Sequence, residues 1–408
     1  MRPTLDALTS ITGLEVVHDS LAERGWEMPS LARVEQEGWS GDRLGRLIVS
    51  SRSLRRVSGQ LFWSWVEAFE GMPVAGPGEA GPLSQLEAIG TINITAQELD
   101  QLHATLTSRG CRNSIKQLDL SMSGLVGSDI ALLSALDRFV AACCASPDIP
   151  VTFAASLVTF NPMILCHSDF PAHPSPALTS VMKQVAEQTD DVRFDLTPNP
   201  SLTPAPKQSA IDLAGQLSFA NAKTVTFNST HVDRNSPVPR PSIFGHMQRI
   251  SNCEVLRLLG RVDEESSRLL ASKMPTQLHR MDIKSMPVSD AVGAMRGLGR
   301  DRRVEWLEFG FAVMDEGSID QLVGAAADLP VIHSLCFNLT VREDRADKDE
   351  YVRHTLSSLL QQLRGLQRLV MYLVTFTEMT AVADGTTLHG FTIRTGALGF
   401  SLEAHRRS

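Results

Sequence analysis

Four segments decide how this chain folds: LHRMDI (278–283), VEWLEF (304–309), IHSLCF (332–337) and LQRLVM (366–371). Each carries apolar residues at its first, fourth and sixth positions: Leu278, Met281 and Ile283; Val304, Leu307 and Phe309; Ile332, Leu335 and Phe337; Leu366, Leu369 and Met371. The close pair alternates with polar neighbours, which is the period of a strand with one buried face. The middle apolar residues, Met281, Leu307, Leu335 and Leu369, stand 26, 28 and 34 residues apart. Between the copies the spacing changes to three and four, as in Ile319, Leu322 and Val323, or Leu356, Leu359, Leu360 and Leu363. That is an amphipathic helix with one inward stripe. One strand and one helix in each unit of this length is the mark of a stacked repeat.

Weaker copies extend the pattern. Ile89, Ile92 and Ile94 fit it, as do Ile115, Leu118 and Leu120, then Cys253, Leu256 and Leu258, and lastly Leu388, Phe391 and Ile393. Val151 with Phe153, Phe194 with Leu196, and Val225 with Phe227 keep only the close pair. Eleven strands are expected, side by side and parallel, with helices along the outer side. Over roughly residues 86 to 400 this resembles the leucine-rich-repeat family. The resemblance implies an α/β solenoid over residues 85–408, a curved parallel sheet with outer helices, preceded by a small helical cap. The family's Asn, which satisfies turn backbone groups nine positions into each repeat, is here Ser123, Met286, Ala312, Thr340 and Val374. The repeats are therefore irregular. An ordinary α/β domain with a parallel sheet shares the same alternation.

With 43% hydrophobic and 21% charged residues in 408, the composition is that of a folded chain rather than a disordered one. A net charge of −8 argues against nucleic-acid or anionic-membrane partners, which need a basic face. No apolar run approaches the ~20 residues that cross a bilayer, and the first residues lack the apolar core and small-residue cleavage site of a signal peptide. A cytoplasmic or nuclear location is expected. The six cysteines, Cys111, Cys143, Cys144, Cys166, Cys253 and Cys336, form no CxxC and no framework spacing, so reduced, mostly buried thiols are expected.

Residues 1–72 read as helices: one over 5–24, a short one over 31–37 and a longer pair over 42–69. Within them DRLGRLIVSSRSLRRVSGQLFW (42–63) is similar to the second half of an F-box; the first half is represented only by Met28, Pro29, Leu31 and Val34, so the resemblance covers residues 28–65. It implies a substrate-recruiting subunit of a cullin-RING ubiquitin ligase. Leu44, Leu47, Ile48, Val49, Leu54, Val57, Leu61 and Trp63 would then form the module's core and its docking surface for a Skp-type linker subunit. The competing reading is a plain cap over the first repeat. Residues 73–84, PVAGPGEAGPLS, read as a Gly/Pro-rich linker. Pro-rich loops at 161–176, 197–209 and 229–242 are candidate contact surfaces, since insertions in stacked repeats collect along one edge.

Little in the chain resembles an active site. Cys166, His167, Asp169 and His173 offer metal-ligating groups within eight residues, but no second half of a site follows at a recognisable spacing. GxxxxGK[ST], GxSxG and HExxH are absent, and the glycines of GAMRGLG (293–299) fit helix capping better than a dinucleotide loop. Neither catalysis nor a cofactor is expected. The outward strand positions instead suit a protein partner: Asp119, Arg193, Asp195, Arg257, Arg280, Asp282, Lys284, Trp306, Glu308, Arg368 and Tyr372 combine Arg, acids and aromatics, the residue types that anchor interfaces. The expected function is non-catalytic protein binding on the concave sheet. A repeat scaffold or effector with no ubiquitin role is the second class.

Overall fold

The four apolar triplets fall on strands, the last of them from Arg368 onward, and their middle residues meet in register: Met281 lies beside Leu307, Leu307 beside Leu335 and Leu335 beside Leu369. A computed structural model describes residues 4–12, 25–35, 41–58, 64–121, 130–153, 158–196, 201–203, 205–230, 242–341, 347–374, 382–396 and 401–407. The protein is a mixed α/β chain with parallel sheet throughout much of its length, and the described residues include ten α-helices. It divides into two compact units, Met1–Thr159 with Asp169–Gln188, and Phe160–Ser168 with Thr189–Ser408.

The first unit contains a six-stranded sheet in which every neighbouring pair is parallel: β1 (Ser10–Thr12), β2 (Arg33–Glu35), β3 (Arg56–Ser58), β4 (Ala88–Asn93), β5 (Gln117–Ser121) and β6 (Val151–Phe153) follow one another in chain order. Its helices are α1 (Gly41–Ile48), α2 (Trp65–Glu70), α3 (Ala96–Ser108), α4 (Ile130–Cys143) and α5 (Pro176–Gln188). Side chains start two of them: the Ser64 hydroxyl accepts from the Val66 amide and that of Thr95 from the Glu98 amide, each at 3.1 Å.

This unit corrects the expected helical N-terminus. The helix expected over 5–24 contains strand β1, with 13–24 outside the described residues, and the helix expected over 31–37 contains strand β2. The helical pair expected over 42–69 is interrupted by β3. Each of these strands buries one residue, Ile11, Val34 or Val57, between two more exposed ones; backbone pairing, on one side for the edge strand β1 and on both sides for β2 and β3, rather than local propensity decides their state. Among the described residues parallel pairing thus begins with an isolated bridge between Thr4 and Glu27 and continues at Ser10, rather than starting after residue 85. The expected linker over 73–84 is pinned to α3: the Ala75 amide donates to the Ser108 carbonyl at 2.9 Å and the Leu83 amide to the Arg109 carbonyl at 3.0 Å, with Leu83 fully buried.

The second unit is built on an eleven-stranded sheet: β7 (Thr159–Phe160), β8 (Asp191–Asp195), β9 (Thr224–Ser229), β10 (Val255–Gly260), β11 (Gln277–Lys284), β12 (Arg303–Met314), β13 (Val331–Thr340), β14 (Arg368–Val374), β15 (Thr387–Leu388), β16 (Phe391–Thr395) and β17 (Ser401–Arg406). From β8 to β14 each strand is parallel to the next in the chain. The connections carry α6 (Gln208–Ala214), α7 (Glu264–Lys273), α8 (Val288–Leu298), α9 (Glu316–Gly324) and α10 (Lys348–Gln362). One face is a continuous apolar row, Val192, Val225, Leu256, Met281, Leu307, Leu335 and Leu369, all fully buried. A second row of Phe194, Phe227, Leu258, Ile283, Phe309, Phe337 and Met371 lies beside it.

Two further expectations change. The eleven expected strands fall into two sheets rather than one. The last of them, around Phe391, is antiparallel: β17 returns along β14, and β16 pairs antiparallel with β17. Apolar alternation specifies which face a strand buries but not which way it runs. The Pro-rich loop at 161–176 is partly core: Pro162 to Cys166 form a buried 3₁₀ turn after Asn161, whose side chain accepts from the Met163 amide at 3.1 Å.

Candidate protein-binding face

The opposite face of the second sheet carries polar side chains in straight cross-strand rows. Register fixes one row as Arg193, Thr226, Arg257, Asp282, Glu308 and Cys336 on β8 to β13, and a neighbouring one as Arg280, Trp306, Ser334, Arg368 and His405 on β11 to β14 and β17. A third runs through Asp195, Asn228, Leu259, Lys284 and Gly310, and the pair Asn338–Tyr372 continues beyond the irregularity in β12.

These side chains form a connected network. Asp282, only 3% exposed, receives the Arg280 Nε at 2.7 Å and has the Arg257 Nε at 3.7 Å. Arg280 reaches on to Glu308 at 2.8 Å, and the Trp306 indole N–H points to the same Glu308 oxygen at 3.5 Å. The Arg368 guanidinium stands 5.4 Å from the Trp306 ring centroid and binds Glu403 at 3.2 Å, while His405 meets the same Glu403 oxygen at 3.1 Å. The hydrogen bond that Arg280 donates to Asp282 raises the Arg280 pKa, and the contact with His405, with Arg368 beside it, holds Glu403 below the usual carboxylate range. Single exposed pairs contribute about 0–1 kcal/mol. Shared partners do more: Asp282 and Glu308 hold Arg257, Arg280 and Trp306, and Glu403 holds Arg368, before anything binds.

The same face carries a thiol and several acids. Its thiol, Cys336, is pushed up to about 11 by burial, with Glu308 adding to the effect, so it is protonated near neutral pH and a poor nucleophile. On this face the acids Asp195, Asp282, Glu308 and Glu403 pair with arginines. What it does present outward are Tyr372 and Val374, 48% and 47% exposed, two residues apart on β14.

Most expected contact residues therefore share one surface: Arg193, Asp195, Arg257, Arg280, Lys284, Trp306, Glu308, Arg368 and Tyr372 all lie on this face. Two are corrected. Asp119 belongs to β5 in the other sheet, where it accepts from Gln117 at 3.0 Å and from Thr152. Asp282 is too buried to touch a partner and acts as the anchor for its neighbours. Glu403 and His405 were missed, although SLEAHR (401–406) alternates as a strand does; no apolar triplet marked it.

The expected linker-docking residues are largely interior. Leu44, Leu47, Ile48, Leu54 and Val57 are at most 3% exposed, and Val49 is half-buried; Leu61 and Trp63 lie outside the described residues. All six cysteines are buried free thiols. Among the described residues no group of three His, Cys, Asp or Glu side chains is placed to hold a metal ion, and no helix is long and apolar enough to cross a membrane. In comparison with known proteins, no family model matches the chain, and no curated protein matches it.

Proposed function

We propose that this chain is a non-catalytic protein-binding scaffold, an irregular leucine-rich-repeat-like solenoid whose polar sheet face takes a protein partner. The observation that carries the reading is the pre-oriented cluster of Trp306, Arg280 and Arg368 beside exposed Tyr372 and Val374. Interfaces draw most of their energy from a few aromatic and Arg anchors held in fixed positions. The strand order from β8 to β14, each strand beside its chain neighbour, supports the solenoid part of the proposal. So do long basic side chains that tie neighbouring repeats: Arg109 donates to the Glu70 carbonyl, Lys273 to those of Gly245 and Met247, and Arg364 to that of Leu329.

Selection of randomised displayed peptides on the full-length chain tests the binding role. Trp306→Ala is expected to weaken the selected peptides at least about tenfold, ~1.4 kcal/mol or more, by isothermal titration. Failure to enrich any peptide, or peptides indifferent to Trp306→Ala, contradicts the proposal.

Between the two binding roles, a scaffold without a ubiquitin connection is favoured. An F-box is a helical module, whereas strand β3 lies within residues 28–65 and the apolar set there is committed to this chain's own interior. In a pull-down with a Skp-type linker subunit, the full chain is expected to stay at background; stoichiometric retention would favour the ligase role instead.

A further inference from the structure

A cavity of about 220 Å³ opens on the same face, lined by Lys284, Glu308, Gly310, Cys336, Asn338 and Tyr372, among others. Three of these carry hydrogen-bond donors with no hydrogen-bond or ion-pair partner among the described residues: the Lys284 ammonium, the Asn338 amide and the Tyr372 hydroxyl. The acid in the wall, Glu308, is already held by Arg280 at 2.8 Å and faces the Trp306 indole. The lining therefore has donors and one positive charge to offer, and its carboxylate is taken.

Gly310 shapes the site. A Cβ there would stand 2.9 Å from Cε and 3.0 Å from Cγ of Lys284, so the lysine stem lies across the glycine as no larger residue would allow. Tyr372 and Val374 extend the rim as an exposed apolar step.

We propose that this cavity receives an acidic side chain, Asp or Glu, of the protein partner, with the partner's adjacent apolar residue resting on Tyr372 and Val374. Charge sets the choice of ligand: one uncommitted ammonium matches a singly charged carboxylate, whereas a phosphate near neutral pH carries about two charges. The volume suits one side chain rather than a free small molecule, whose pockets run from about 300 Å³ upward. This inference rests on the binding role proposed above and deepens it.

The test uses peptides selected on the full-length protein, titrated into wild type, Lys284→Met, Gly310→Ala and Trp306→Ala. The selected sequences are expected to share one Asp or Glu beside an apolar residue. Lys284→Met is expected to weaken binding about tenfold or more, and Gly310→Ala to weaken it by displacing the lysine, both with unchanged thermal midpoints. Lys284→Glu should lose the parent peptide and recover binding to a version with lysine in place of its acid. Peptides that lack an acid, that ignore Lys284→Met yet respond to Trp306→Ala, or that bind more tightly with phosphoserine at the acidic position overturn the carboxylate assignment and leave the binding face standing. Peptides indifferent to Trp306→Ala, or none enriched, overturn both.

Discussion

Phe244→Ala is expected to lower the free energy of unfolding by about 3–5 kcal/mol, read as a shift of the urea midpoint with little change in slope. Phe194 and Phe227 stand side by side in register on β8 and β9, their ring centroids 6.4 Å apart. Phe244, in the 3₁₀ turn Ser242–Gly245, covers both at 4.0 and 5.5 Å and is 1% exposed. Truncating it removes a large apolar surface and leaves a hole whose walls are strands fixed by backbone pairing, so the site cannot collapse to recover the loss. A loss below about 1 kcal/mol would mean that this turn does not seal the sheet.

Arg302→Ala is expected to cost about 3 kcal/mol in the same measurement. Arg302 is 6% exposed and has no carboxylate partner among the described residues. Its guanidinium donates instead to the Ala271 carbonyl at 2.8 Å, to that of Leu298 at 3.4 Å and to that of Pro275, joining the ends of α7 and α8. Burial pulls its pKa below the usual guanidinium value; the carbonyls that helices leave unpaired at their C-termini compensate for that desolvation. Removing the side chain strands those acceptors, and each buried unpaired group costs about 1–3 kcal/mol. Arg302→Lys is expected to recover less than half, because an ammonium cannot span the three carbonyls as a planar fork does. Arg268→Ala, which removes only an exposed pair with Glu264, is expected to stay within about 0.5 kcal/mol of wild type. Equal losses at both positions would contradict the role given to Arg302.

The strands that could be read from sequence are those long enough to display a period. LHRMDI, VEWLEF, IHSLCF and LQRLVM each set two or more apolar residues against polar neighbours, and the side-chain face, once known, fixes the register across the sheet. β1, β2 and β3 are three residues long with a single buried residue each, too short for any period, and Leu44, Leu47 and Ile48 nearby advertise only helix. The reversal at β17 was invisible because alternation has no direction. Trp306, Arg280 and Arg368 could be assigned to the polar face from alternation alone. That Asp282 sits beneath its neighbours, or that Asp119 lies in another sheet, depends on which strands pair. The Arg302 tie joins groups 27 to 31 residues apart, and side-chain contacts at that separation leave no local trace.

The most direct measurement of the binding role is hydroxyl-radical footprinting of the full-length protein, with and without a selected peptide, read residue by residue by mass spectrometry. The expected result is a fall in oxidation at Tyr372 and Trp306 on binding, while His354, exposed on α10, reacts as before. Unchanged Tyr372 and Trp306 with protection on the helices would contradict the assignment of the sheet face as the binding surface.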